Sequence, residues 1–76
     1  MENEDAVDPV MPRVRLLFEH SGLSLEEVGC RMGYGPASAR KSAWQFLRRT
    51  ADPHLSMLRR FAAALGVPLR DLFAEE

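Results

Sequence analysis

The sequence predicts an all-α domain of five short helices. Large aliphatic and aromatic residues recur at i, i+3 and i+4, the period of a helix face. β-branched residues, which favour strands, are few. Gly22, Gly33 and Gly66 punctuate the chain at intervals that suit short helices. The 76 residues, 46% of them apolar, make one small globular domain, near the size at which a single core is just sufficient.

Residues 1–11 are acidic, show no periodicity and run into Pro9 and Pro12, which reads as a mobile arm before a domain over residues 12–76. Helix 1 is expected from Pro12, a good first-turn residue, to about His20, with Val14, Leu17 and Phe18 facing inward and Gly22 closing it. "LSLEEV" is the clearest local signal. Ser24 as N-cap with Glu27 three residues on is a capping box, and Leu23 against Val28 is the matching hydrophobic staple. Helix 2 therefore runs over residues 25–32 and stops at Gly33. Gly29 inside it costs about 1 kcal/mol against alanine, so close approach of another helix is expected there.

Residues 33–36 form a turn, and helix 3 follows from Pro36 to about Arg49. Its inward stripe is Ala39, Ala43, Phe46, Leu47 and Thr50. Lys41, Gln45 and Arg48 point the other way, flanked by Arg40 and Trp44 on one side and by Ser38 and Arg49 on the other. "TADPH" breaks the pattern. Helix 4 carries Leu55, Leu58, Phe61, Ala62 and Leu65 and ends at Gly66. "VPLRDLF" reads as a fifth short helix, folding Leu69, Leu72 and Phe73 onto the core.

The net charge of -1 conceals a segregation of signs. Glu2, Glu4, Asp5 and Asp8 stand at the start without a base among them. Between Val28 and Arg60 the charged residues are Arg31, Arg40, Lys41, Arg48, Arg49, Arg59 and Arg60 against Asp52 alone. A basic middle of this kind suits an anionic partner.

Catalytic chemistry finds few candidates. His20 and His54 are far apart and read as surface residues at helix ends, and neither stands in ligand-like spacing to Cys30. "GYGP" follows no strand and reads as a turn. Cys30 reads as a small residue buried or half-buried on helix 2; as the sole cysteine it suits a reducing compartment. No cofactor, metal or enzymatic activity is expected. No apolar run approaches the roughly 20 residues of a membrane span, so no membrane partner is expected and a cytoplasmic location is.

Two short helices joined by a glycine-containing turn match the DNA-binding helix-turn-helix, whose second helix enters the major groove. The residues resemble the Cro and lambda-repressor-like (XRE) family from about Val14 to Phe73. "SGLSLEEVGCRMGY" resembles its second helix, "SAWQFLRRT" its recognition helix, and "DPHLSMLRRFAAALGVPLRDLF" its last two helices. The chain departs by about four extra residues within "GPASARK", close to one helical turn of 3.6 residues, expected to lengthen the start of helix 3.

The resemblance implies a repressor-like five-helix bundle and a sequence-specific DNA-binding protein, a small transcriptional regulator of bacterial or phage type. Its partner would be double-stranded DNA, with any homodimer small or formed only on DNA. The preferred register puts Arg40, Lys41, Ser42 and Gln45 on bases; the alternative, one turn away, uses Pro36, Ala37 and Ser38. Ser38, Trp44, Arg48, Arg49 and Tyr34 are assigned to the DNA backbone. Arg59 and Arg60 are further candidates for phosphates. Trp44 reads equally as a core residue against helix 2, and Tyr34 as packing over that helix. The alternative function is a protein-interaction module, or an antitoxin that joins both activities, motivated by the acidic segment and by Trp44, since aromatics are enriched at protein interfaces.

Overall fold

A computed structural model describes residues 10–73; the rest of the acidic arm, residues 1–9, lies outside the described residues. The described chain is all-helical, with four α-helices rather than five: α1 (Val10–Ser21), α2 (Leu25–Arg31), α3 (Ala39–Arg49) and α4 (Leu55–Leu65). The segment expected as a fifth is a 3-10 helix over Leu69–Phe73. It begins straight after Pro68, whose carbonyl accepts from the Asp71 amide at 3.0 Å, the tighter i to i+3 pattern.

Helix α1 starts at Val10, so Val10 and Met11 belong to the helix and not to the arm. Pro12 is tolerated there because first-turn amides have no intrahelical acceptor, and buried Met11 extends the inward stripe one turn back from Val14. The capping box forms as the sequence predicts. The Glu27 amide donates to Ser24 Oγ at 3.0 Å, and the Ser24 amide donates to Glu27 Oε1 at 2.9 Å.

Helices α2 and α4 end alike. Gly33 (φ 104°) and Gly66 (φ 74°) adopt left-handed backbone. Behind them the Tyr34 amide reaches Gly29 O and the Val67 amide reaches Ala62 O, both at 3.0 Å. These are Schellman closures, and they satisfy carbonyls that the helices leave free.

The start of α3 departs from expectation. Residues 36–38, expected in the first turn of helix 3, do not join it. Pro36 takes the second position of a turn closed by the Ser38 amide on Gly35 O at 3.0 Å, and α3 begins at Ala39. What pins that start is contact with α2. A Cβ built on Gly29 would lie 2.1 Å from the Ala39 carbonyl oxygen, so only glycine lets the two backbones meet. This is the close approach that the cost of Gly29 implied.

The core gathers Met11 and Val14 from α1, Val28 and Met32 from α2, Ala43, Phe46 and Leu47 from α3, and Leu58, Phe61, Ala62 and Ala64 from α4, with Leu72 closing one side. The Phe46 and Phe61 rings meet at 5.6 Å and 44°, tying α3 to α4. Two expected core residues lie outside it. Leu55 is 50% exposed at the first position of α4, and Phe73 is 46% exposed at the last position of the 3-10 helix. Each stands at a terminal position of its element, and Ala64 is a buried position of α4 outside the expected stripe.

Candidate nucleic-acid interface

Helix α3 is held from three sides. Gly29 receives its first residue, the core takes Ala43, Phe46 and Leu47, and Arg15 of α1 donates from Nη1 to Leu47 O at 3.1 Å. At about 100° per residue, that buried stripe leaves one face to solvent. Lys41, Gln45 and Arg48 are exposed along its centre, as the sequence predicts.

Arg40 and Trp44 are exposed on one flank. Together with Leu25, Ala37 and Lys41 they line an open groove of about 540 Å³ between the start of α2 and α3. Trp44 is 42% exposed. It is therefore neither the core residue nor the fully presented one of the two sequence readings. Its inner side borders a smaller hollow shared with Phe18, Leu25 and Leu47. The Arg49 guanidinium lies 6.0 Å from the Trp44 ring centroid, at the outer limit of a cation–π contact.

The structure does not bring all expected contacts onto one surface. Ser42 is half-buried on the flank opposite Arg40. Tyr34 turns inward: it is half-buried, and its hydroxyl donates to Met57 Sδ at 3.5 Å. Ser38 is exposed ahead of α3, its hydroxyl 3.5 Å from Gly35 O, and Pro36 and Ala37 are exposed beside it. Arg59 and Arg60 are exposed on α4. Cys30, expected to be at least half-buried, is exposed, because the inward positions of α2 are taken by Val28 and Gly29.

The electrostatics of the interface are one-signed. Helix α3 carries Arg40, Lys41, Arg48 and Arg49 and no acid. Two of these cations stand in the first turn, where the helix dipole is positive and cations are unfavourable. Nor does a side chain cap that turn. Ser38 sits at φ -118°, ψ -2°, whereas the capping Ser24 of α2 sits at φ -80°, ψ 165°. With ψ near zero Ser38 lacks the extended backbone from which a cap side chain ordinarily folds back onto the helix amides.

Three arginines do work that sequence reasoning missed. Arg15 holds Leu47 O, Arg31 Nη1 donates to Ala64 O at 3.2 Å, and Arg13 Nε donates to Asp71 O at 3.0 Å. Each meets a carbonyl at or near the end of a helix, where free carbonyls and the dipole favour a cation. Arg31 thus leaves the set of free bases. The one available signal was position: Arg13 and Arg15 flank Val14, and long cations at the edge of an apolar stripe can lie across to a neighbouring element.

Among the described residues no three His, Cys, Asp or Glu side chains gather as a metal site, and no helix is long and apolar enough to cross a membrane. No family model matches the chain, and neither a curated protein nor a solved structure does.

Proposed function

We propose that this chain binds double-stranded DNA and reads its sequence, with α2 and α3 acting as a helix-turn-helix and α3 lying in the major groove. The observation that carries the reading is the exposed face of α3, acid-free and centred on Lys41, Gln45 and Arg48, on a helix whose start lacks a side-chain cap. Such a start leaves amides and positive potential for an anion to complete. Arg40 and Lys41 can donate to guanine O6 and N7, and Gln45 can pair with adenine N6 and N7. Ser38, Arg48 and Arg49 suit phosphates and would set the register. Half-buried Ser42 and inward-turned Tyr34 are the weaker members of the set.

The connection over residues 32–38 is longer than the roughly 3–4 residues that usually join such helices. The excess sits in the turn, so it offers Pro36, Ala37 and Ser38 beside the DNA without shifting the stripe of α3. In keeping with the resemblance to the Cro and lambda-repressor-like family, the chain acts as a small regulator of bacterial or phage type. Exposed Phe73 offers a small surface for pairing on a two-fold site.

Selection from a random pool of duplex DNA, at two salt concentrations, tests the reading. Enrichment of a short motif is the expected result, with log K falling against log salt at about 0.9 per phosphate contacted. Weak binding that enriches nothing would reduce α3 to a phosphate-feeling surface. One observation favours a second reading: Trp44, 42% exposed over an open groove with Leu25, suits a protein ligand. Absence of salt-sensitive DNA binding together with a co-purifying partner would select it; both activities at once would suit an antitoxin.

A further inference from the structure

Residues 1–9 carry Glu2, Glu4, Asp5 and Asp8 and no lysine or arginine. They join the described chain at Val10, the first residue of α1. The next residue, Met11, lines a groove of about 330 Å³ whose other walls are Arg15, Arg48, Arg49, Thr50 and Ala51. Three arginines therefore line one hollow, and among the described residues no carboxylate lines it. Arg15 cannot simply swing away, because its Nη1 is engaged with Leu47 O at 3.1 Å. Like charges held together raise the free energy of the site unless an anion enters it.

We propose that this groove is the docking site of the chain's own acidic segment, residues 2–8, which thereby covers the basic face of α3. Connectivity, length and chemistry support that occupant. The segment enters α1 at the edge of the groove, so docking is intramolecular, at an effective concentration in the millimolar range of short tethers (about 1 mM). Nine extended residues reach about 30 Å, whereas the 11 residues of α3 span about 16 Å. The segment can fill the groove at Arg48 and Arg49 and continue toward Lys41. Carboxylates match the planar fork of arginine, which favours paired N–H···O bonds. Each exposed pair is weak and screened by salt; several in series make a competitor that loosely held polyanions fail to displace and a well-matched one does displace. The docking itself does not rest on the DNA reading.

The test needs no DNA. Arginine Nε–Hε NMR signals are compared between the full chain and its E2Q/E4Q/D5N/D8N variant, at low salt (about 0.01 M, screening length about 30 Å) and at high salt (about 1 M, about 3 Å). Signals of Arg15, Arg48 and Arg49 should differ between the two proteins at low salt and converge at high salt, independently of protein concentration. Those of Arg59, Arg60 and Arg70 should stay put. Identical signals at the three groove arginines, or equal shifts at all six, overturn the proposal. Shifts that grow with protein concentration overturn it too, because a second copy's segment is then the occupant. A second measurement reads the consequence: the neutralised variant should bind random duplex DNA about three- to tenfold more tightly at low salt. Equal affinity of the two proteins would overturn the competition. If neither protein binds DNA at all, the DNA reading fails while the NMR result stands on its own.

Discussion

The two helices that meet at Gly29 begin in opposite ways. Helix α2 satisfies the local rules for a helix start: Ser24 and Glu27 exchange hydrogen bonds, and Glu26 and Glu27 place negative charge at the positive end of the dipole. Helix α3 breaks the same rules at the same place. Its N-cap serine makes no side-chain cap, its first turn holds Arg40 and Lys41, and no acid offsets them. What keeps α3 helical is tertiary burial, since Ala39, Ala43, Phe46 and Leu47 are all essentially inaccessible. Local stability has been built into the helix that supports and left out of the helix that presents. Under the proposed DNA-binding function, an external anion would complete the start of α3.

The strongest way to break the contrast is to remove the contact between the two helices. Gly29→Ala places a Cβ 2.1 Å from a backbone oxygen of Ala39, which no side-chain rearrangement relieves. A loss of about 3 kcal/mol or more is expected, a fall in Tm of at least about 10 °C in a thermal melt. An unchanged Tm would mean that α3 is not seated on α2 as described.

Next in size is the effect of the α3 cations on binding. Arg40→Ala or Lys41→Ala should weaken a cognate DNA site by about 1–3 kcal/mol. The same substitutions should stabilise the free protein by about 0.3–1 kcal/mol, because each removes a cation from the positive end of a helix. Affinity and Tm moving in opposite directions is the signature to seek. If both fall together, the two residues are structural.

The two N-cap serines give a smaller and sharper test. Ser24→Ala should cost about 1 kcal/mol, while Ser38→Ala should stay within about 0.5 kcal/mol, having no cap bond to lose. Equal losses would erase the distinction between the helices.

The smallest effect is one of pH. The hydrogen bond from the Ser24 amide, then that with its side chain, holds the Glu27 carboxyl below the usual glutamate range, against a small opposing effect of desolvation; the Arg31 charge adds to the lowering. A carboxyl lowered on folding contributes stability above its unfolded pKa and loses it as pH falls through the folded one. The stability gap between wild type and Glu27→Gln should therefore narrow below about pH 4. Urea unfolding at neutral and acid pH measures it.

What the sequence by itself determined is what short-range chemistry controls. Ser24 and Glu27 stand three residues apart and need nothing else to form their box. Gly33 and Gly66 close α2 and α4 because left-handed backbone costs glycine nothing. The apolar stripe of α3 is legible because its period is that of the helix, and with it the outward Lys41, Gln45 and Arg48.

Only the tertiary structure decided where α3 begins, since the turn at Pro36 and the seat at Gly29 lie on different elements. It also turned Tyr34 toward Met57, left Leu55, Phe73 and Cys30 uncovered, and sent Arg13, Arg15 and Arg31 to carbonyls on elements 32 to 58 residues away in sequence. A cap or a glycine stop is specified within a few residues. Exposure, and the partner of a long side chain, depend on which surface arrives opposite, and no local pattern encodes that arrival.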